Sequence, residues 1–347
     1  MDLTIDPDIF LAETPPASFY RSQAVFEHQR EAIFGASWQL LCAWPEPDTA
    51  HPVTLLEGLL NEPLLAVREG ESPAHCLSNV CTHRGNQLVD APCSETTLRC
   101  GYHGRSFDRQ GRMLAAPGFD DALDFPRAAD DLPRPSIGRL GPLAFVGLNP
   151  PCSFEEWLAP IFMFCPWLED QVLPDAPQKV QDFPVAANWM VYTENYLEGM
   201  HVPFVHPELA KALQPGTYDT RPMPWGVAQT SRPRAGGPAL PDGQAAWYLW
   251  LFPNTMINVY PWGLSINIVL PQSVDRTSVR YLTYVSSPEL VEQGAGTGLD
   301  TVELEDEAVV ERVQKGFASR LYPRGRYSPD QEQGVHHFHR LLVDHLP

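Results

Sequence analysis

The chain has 347 residues, of which 44% are apolar and 19% charged, and its 43 acidic side chains outnumber 24 basic ones for a formal charge of −19. It is long enough for two domains with a sizeable core, and so acidic a balance argues against nucleic acid and anionic membranes as partners, because both need a basic face. There is no run of about eighteen apolar residues, and the start, M-D-L-T-I-D-P-D, is acidic where a secretory leader is basic. The expected location is therefore the cytoplasm, where seven cysteines stay reduced.

The first predicted element is a short amphipathic helix within 20–36, where Val25, Phe26, Ile33 and Phe34 recur at near-helical spacing before Gly35. From Trp38 to about Pro150, brief β-rich runs such as Leu64–Val67 and Leu143–Leu148 alternate with Gly, Pro and Asp turns. The 36 prolines favour short strands and loops over long helices. Within this region Cys81-x-His83 is followed, sixteen residues on, by Cys100-x-x-His103. Two thiolates and two imidazoles suit either zinc or a [2Fe–2S] cluster of the Rieske form, in which two histidines replace two cysteines on one iron. Zinc fingers usually pair cysteine with cysteine and histidine with histidine. Here each tip offers one of each, which favours the cluster, with Cys81 and Cys100 on one iron and His83 and His103 on the other. Gly85, Gly101 and Gly104 let the backbone fold closely round the sulfides. Cys93, in the loop between, is not expected to ligate.

The proline-spaced text from Pro150 to Pro184 reads as a crossover into a second domain, giving 1–37 as an N-terminal helical segment packing on it, 38–150 as the cluster domain and 151–347 as the catalytic domain. In the stretch from Asn188, His201 and His206 lie five apart with Pro203 between them, and a proline kink is expected to bring the two rings together. Two histidines and one acid make the facial triad of non-haem Fe(II) oxygenases. Candidates for the acid are Glu303, Glu305, Asp306 and Glu307. Asp306 is preferred, because Val309, Val310 and Val313 follow at +3, +4 and +7 and would place it on the apolar stripe, with Glu303 its main competitor. Glu198, three residues before His201, is placed to orient that ring.

C-T-H-R-G from Cys81 and C-G-Y-H-G-R-S-F-D from Cys100 resemble the Rieske domain of Rieske-type non-haem iron oxygenases, the ring-hydroxylating α-subunit family, and the resemblance covers nearly the whole chain. It implies an α+β fold, a small all-β [2Fe–2S] domain beside a larger domain whose antiparallel sheet is flanked by helices. It also implies a mononuclear Fe(II), O₂ as co-substrate, and a homotrimer in which Glu198 links His201 to His103 of the neighbouring subunit. The family pattern, E-D followed by E-x-V-Q, points to Asp306, and Asn195 resembles a polar residue near the iron. Rieske proteins of respiratory complexes carry two further cysteines; here Asn86 and Tyr102 stand in those places, so no disulfide braces the tips.

The only Gly-rich tract resembling a dinucleotide loop, G-A-G-T-G-L-D from Gly294, lacks the order and context of one and is read as a flexible loop. Electrons must then come from a separate NAD(P)H-dependent flavin reductase, with or without a ferredoxin. In the paired strands from Gln244, alternation is expected to send Trp250, Phe252, Met256, Asn258 and Tyr260 towards a cavity. Aromatic walls suit a quaternary ammonium compound or an aromatic acid. His336, His337 and His339 are read as a solvated helix face. The expected function is a terminal oxygenase; the alternatives are a Rieske electron-transfer protein without oxygenase activity and a zinc-stabilised binding protein.

Overall fold

The computed structural model describes residues 3–169 and 173–346. Two compact units are present, one of Gly35–Phe154 and one of Met1–Phe34 with Glu155–Pro347.

The first unit is all β apart from one short 3₁₀ turn. Strands β1 (Trp38–Ala43), β2 (Thr49–Leu55), β3 (Glu62–Arg68), β4 (His75–Ser78), β5 (Thr97–Arg99), β6 (Ser106–Asp108), β7 (Met113–Ala115), β8 (Ser136–Leu140) and β9 (Leu143–Gly147) form three three-stranded antiparallel sheets, ordered β1-β9-β8, β2-β3-β4 and β5-β6-β7. Four consecutive residues of β3, Leu64 to Val67, are buried, so this strand is covered on both faces. Leu65, Val67, Leu77, Leu98, Phe107 and Leu132 cluster in one core with Cys81 and Cys100. Each large aliphatic side chain removed from water there contributes about 1.5–3 kcal/mol. That core fixes the sulfur side of the ligand loops.

The second unit is built on a seven-stranded antiparallel sheet. Its strands are β10 (Lys179–Val185), β11 (Asp219–Met223), β12 (Gly226–Ser231), β13 (Ala246–Leu251), β14 (Thr255–Tyr260), β15 (Gly263–Ser273) and β16 (Arg276–Val285). β11 to β16 pair in chain order, and β10 closes the far edge against β16. Fully buried β14 marks the middle of the sheet.

Helices flank this sheet: α1 (Gln23–Gln29), α2 (Phe154–Phe164), α3 (Trp189–Tyr196), the short α4 (Val202–Val205) and α5 (Pro207–Ala212), α6 (Leu299–Gly316) and α7 (Gln333–His345). α1 continues into a π turn, Arg30–Phe34, and Val25, Phe26, Ile33 and Phe34 are all buried as their spacing predicts. The N-terminal segment belongs to this unit through specific contacts. Tyr20 stacks on Phe317 at 4.4 Å, Arg21 donates to the Phe317 carbonyl at 3.0 Å, and the Trp189 indole N–H donates to Gln29 at 3.0 Å. α7 packs on the same Trp189, with Phe338 5.6 Å from it and 5.3 Å from Trp250, and its His339 lies 3.4 Å from the Tyr20 hydroxyl. Its approach requires Gly334, since a Cβ there would stand 2.4 Å from the Leu197 carbonyl oxygen.

Three expectations need correction here. The stripe of α6 is rotated from the one read in the sequence: Glu303, Val310 and Phe317 form the buried line at seven-residue spacing, while Val313 is 39% exposed. The C-terminal histidines are not solvated. His339 is bound by Tyr327 Oη at 2.7 Å and Glu194 at 2.9 Å, His336 meets the Asp6 carbonyl at 2.7 Å, and His337 the Met223 carbonyl at 2.6 Å. The Gly294 tract is a 3₁₀ turn with Ala295 and Gly296 buried, and a Cβ on Gly296 would meet the Trp262 indole at 2.1 Å.

Candidate metal centres and the adjoining cavity

The two ligand loops of the β unit repeat one backbone pattern. Cys81 N–H donates to Asn86 O at 2.8 Å and Gly85 N–H to Cys81 O at 3.0 Å; Cys100 N–H donates to Arg105 O at 2.8 Å and Gly104 N–H to Cys100 O at 3.1 Å. Gly85 (φ 71) and Gly104 (φ 75) occupy the left-handed region that glycine enters freely. The two thiols are buried, whereas His83 is half-buried and His103 exposed, their rings 4.8 Å apart. Burial works against a Cys100 thiolate, but the N–H groups of Tyr102 and His103, with the Cys81 and Asn86 side chains, outweigh it and lower its pKa. In place of a disulfide, Arg105 joins the tips. It donates to Thr82 Oγ1 at 3.0 Å, faces Asp130 at 3.8 Å and lies over the Phe119 ring at 4.9 Å, while Thr82 donates to the Asp130 carbonyl at 2.6 Å.

A tetrahedral zinc ion needs its donors gathered round one point. Among the described residues, the only His, Cys, Asp or Glu group of three or more with all donor atoms within 4.8 Å of one another is His201, His206 and Asp306, in the other unit. The Cys81, His83, Cys100 and His103 set, two thiols in contact and two imidazoles side by side, is the donor set of a Rieske two-iron cluster.

The segment carrying His201 and His206 differs from a kinked helix. α3 is capped by Asn188, whose side chain accepts the Met190 N–H, and it ends at Leu197. His201 then caps the one-turn α4, Pro203 sits in that first turn, and His206 separates α4 from α5. Pro203 therefore sits where a missing N–H costs nothing. Glu198 reaches His201 through a turn rather than along a helix face: one carboxylate oxygen accepts the N–H groups of Met200 at 2.5 Å and His201 at 3.1 Å, and the other meets His201 Nδ1 at 2.6 Å.

His206 has the matching arrangement. Its Nδ1 lies 2.7 Å from Glu305, an acid that stripe reasoning had set aside. With both Nδ1 atoms engaged by carboxylates, both Nε2 atoms point to Asp306 Oδ1, at 3.7 Å from His201 and 2.9 Å from His206. Asn195 donates to the same oxygen at 2.6 Å. Burial opposes charge on His206, yet Asp306 and Glu305 outweigh it and raise its pKa. The site thus favours a cation, and its two nitrogens and one oxygen suit Fe(II) with positions left open. Glu303, the competing acid, turns away to the phenols of Tyr192 and Tyr281.

Beside these three residues is a cavity of about 90 Å³. Its wall carries six tyrosines, Tyr192, Tyr196, Tyr218, Tyr248, Tyr260 and Tyr281, and no Lys or Arg among the described residues. Asn258 and Tyr260 line it as expected, but Trp250, Phe252 and Met256 do not. The parity of β14 is right, yet its even-numbered face meets the cavity only at one end; at the other, Trp250 pairs with Met256 and lies under Phe338 of α7. The Tyr248 hydroxyl is buried and has no hydrogen-bond partner among the described residues.

A cage with buried thiols and outward imidazoles, together with a two-histidine, one-carboxylate site opening on an aromatic cavity, defines a two-centre iron oxygenase. The chain belongs to the ring-hydroxylating alpha-subunit family of Rieske non-haem iron oxygenases: the family's catalytic-domain profile, "Ring hydroxylating alpha subunit (catalytic domain)", matches 170–347, and the "Rieske [2Fe-2S] domain" profile matches 37–126. Enzymes of this family use a Rieske [2Fe–2S] cluster, a mononuclear iron and O₂. The sequence is 28% identical to choline monooxygenase of Spinacia oleracea over 96% of this chain and 79% of that one. It is also 28% identical to the carnitine monooxygenase oxygenase subunit of Escherichia coli K12, over 98% of each. The structure of the quaternary ammonium Rieske monooxygenase CntA with L-carnitine has a TM-score of 0.73 at 25% identity, covering 99% of this chain and 97% of that one. Naphthalene 1,2-dioxygenase from Rhodococcus shares the fold, with a TM-score of 0.70 at 17% identity over 95% and 93%. Among the described residues no helix is long and apolar enough to cross a membrane.

Proposed function

We propose that His201, His206 and Asp306 hold Fe(II), that Cys81, His83, Cys100 and His103 hold the cluster, and that the enzyme hydroxylates or oxidatively demethylates a compact quaternary ammonium compound. When bound, the cluster supplies electrons one at a time and the ferrous ion, with positions open, supplies the place where dioxygen is reduced. Glu198 and Glu305 fix the tautomer of both imidazoles so that each presents Nε2, and the Asn195 amide holds the Asp306 carboxylate in register.

The substrate class rests on one observation, the tyrosine wall without a cationic side chain. Aromatic faces attract a quaternary ammonium group, whereas the carboxylate of an aromatic acid finds no partner there. The Tyr248 hydroxyl, without a partner among the described residues, suits the polar end of a trimethylammonium alcohol.

Supported by the family and by the inter-subunit electron transfer described for a quaternary ammonium Rieske monooxygenase of similar fold, the working assembly is a homotrimer in which Glu198 connects His201 with His103 of the neighbouring subunit. Electrons come from an NAD(P)H-dependent flavin reductase, with or without a ferredoxin. A cytoplasmic location agrees with seven unpaired cysteines. Oxygen uptake and product analysis with choline, betaine, carnitine and an aromatic acid, using the reconstituted reductase, test the reading. Turnover of the aromatic acid but of none of the ammonium compounds would overturn the substrate class.

A further inference from the structure

We propose that Glu303 is the buried counter-charge for the substrate's cationic head, acting through the phenols of Tyr192 and Tyr281, a role that rests on the quaternary ammonium reading above. Glu303 lies in α6 one turn before Asp306 and is 1% exposed. One carboxylate oxygen accepts from Tyr192 at 2.7 Å and from Tyr281; the other has no hydrogen-bond partner among the described residues. Both tyrosines line the cavity, so the carboxylate stands directly behind the aromatic wall.

The other acids at this site have imidazole partners. Glu198 faces His201, while Glu305 and Asp306 face His206. Glu303 has no cationic side chain against it among the described residues, and an unpaired buried carboxylate is costly. Burial foremost, with Asp306 and Glu307 adding to it and the two phenols opposing, pushes its pKa up to about 7. A cation in the cavity relieves that cost. In turn, phenols that donate to a carboxylate carry more electron density, which strengthens the attraction of their rings for an onium group. The arrangement is therefore a specificity device for charge, not a contact residue.

Choline and 3,3-dimethylbutan-1-ol have the same shape, with nitrogen replaced by carbon, and so differ in charge alone. Their dissociation constants for the iron-loaded enzyme are measured by calorimetry. The wild type binds choline more tightly than the alcohol. Glu303→Gln keeps the side-chain volume and an acceptor for the phenols. It weakens choline by about tenfold, the scale of one charge a few ångströms beyond contact in a protein interior, and leaves the alcohol within about twofold. Tyr281→Phe, which cuts one link but keeps Glu303, gives a smaller loss in the same direction and serves if the glutamine variant does not fold. Equal weakening of both ligands, or an unchanged choline-to-alcohol ratio in the variants, overturns the role of Glu303. A wild type that fails to prefer choline overturns the substrate class itself, a separate outcome visible before any substitution is made.

Discussion

Glu305 gives the sharpest test of how the mononuclear site is built. Its carboxylate holds His206 Nδ1 at 2.7 Å, and His206 is 1% exposed at the side chain, so Glu305→Ala leaves a buried ring N–H without a partner and the ring free to turn. Loss of such an outer partner costs about ten- to a hundredfold in metal affinity, or about 1.4–2.8 kcal/mol. The Glu305 side chain is 33% exposed, and water weakens its hold, which places the effect near tenfold. Glu305→Gln still accepts from Nδ1 through its amide oxygen but loses the charge, and the expected cost is about threefold. Mononuclear iron is titrated out with a ferrous chelator. The electron paramagnetic resonance signal of the reduced cluster, held in the other unit, is the internal reference. Iron retention by Glu305→Ala equal to that of the wild type would refute the second-carboxylate argument.

His201→Ala is expected to abolish substrate oxidation while the cluster signal persists; a variant that still oxidises substrate would refute His201 as a ligand of the mononuclear iron. For Glu303, the raised pKa makes the neutral acid the form the fold prefers, so its stabilising contribution is full below pH 4.5 and is lost as pH rises through about 7. Replacing it with glutamine removes that slope, and the variant gains about 2–4 kcal/mol over the wild type between pH 5 and pH 8, read from urea unfolding; parallel curves at the two pH values contradict it. Gly334→Ala drives a Cβ against the Leu197 carbonyl, a backbone atom that cannot yield, and lowers stability by about 1–3 kcal/mol, whereas Gly316→Ala, in open space on α6, leaves stability unchanged or raises it by up to about 1 kcal/mol.

What the sequence revealed follows the distance over which each feature is encoded. The α+β architecture was legible, because strand runs such as Leu64–Val67 and the 20–36 pattern are local. The Cys81–His103 and His201–His206 pairs could be read for the same reason, each lying within a short segment. Asp306 was chosen from its helix by a stripe that the structure rotates, since the inward line runs through Glu303 and is made possible by two tyrosines far away in sequence. Glu305 was passed over because its partner, His206, lies on another element and reaches it from the flank. The cavity wall was the least visible feature. Its six tyrosines come from a span of some ninety residues across α3, the sheet and its loops, and alternation along one strand cannot say where a helix ends the cavity.

The split of the larger unit between the two ends of the chain has a consequence during translation. The stretch from Gly35 to Phe154 leaves the ribosome as one continuous piece and can close round its cluster while the rest is still being made. Tyr20, by contrast, waits for Phe317, and the two histidines wait for Asp306. The residues of the cluster unit are thus all present before Asp306 is made, whereas the group of His201, His206 and Asp306 is complete only when synthesis is nearly over.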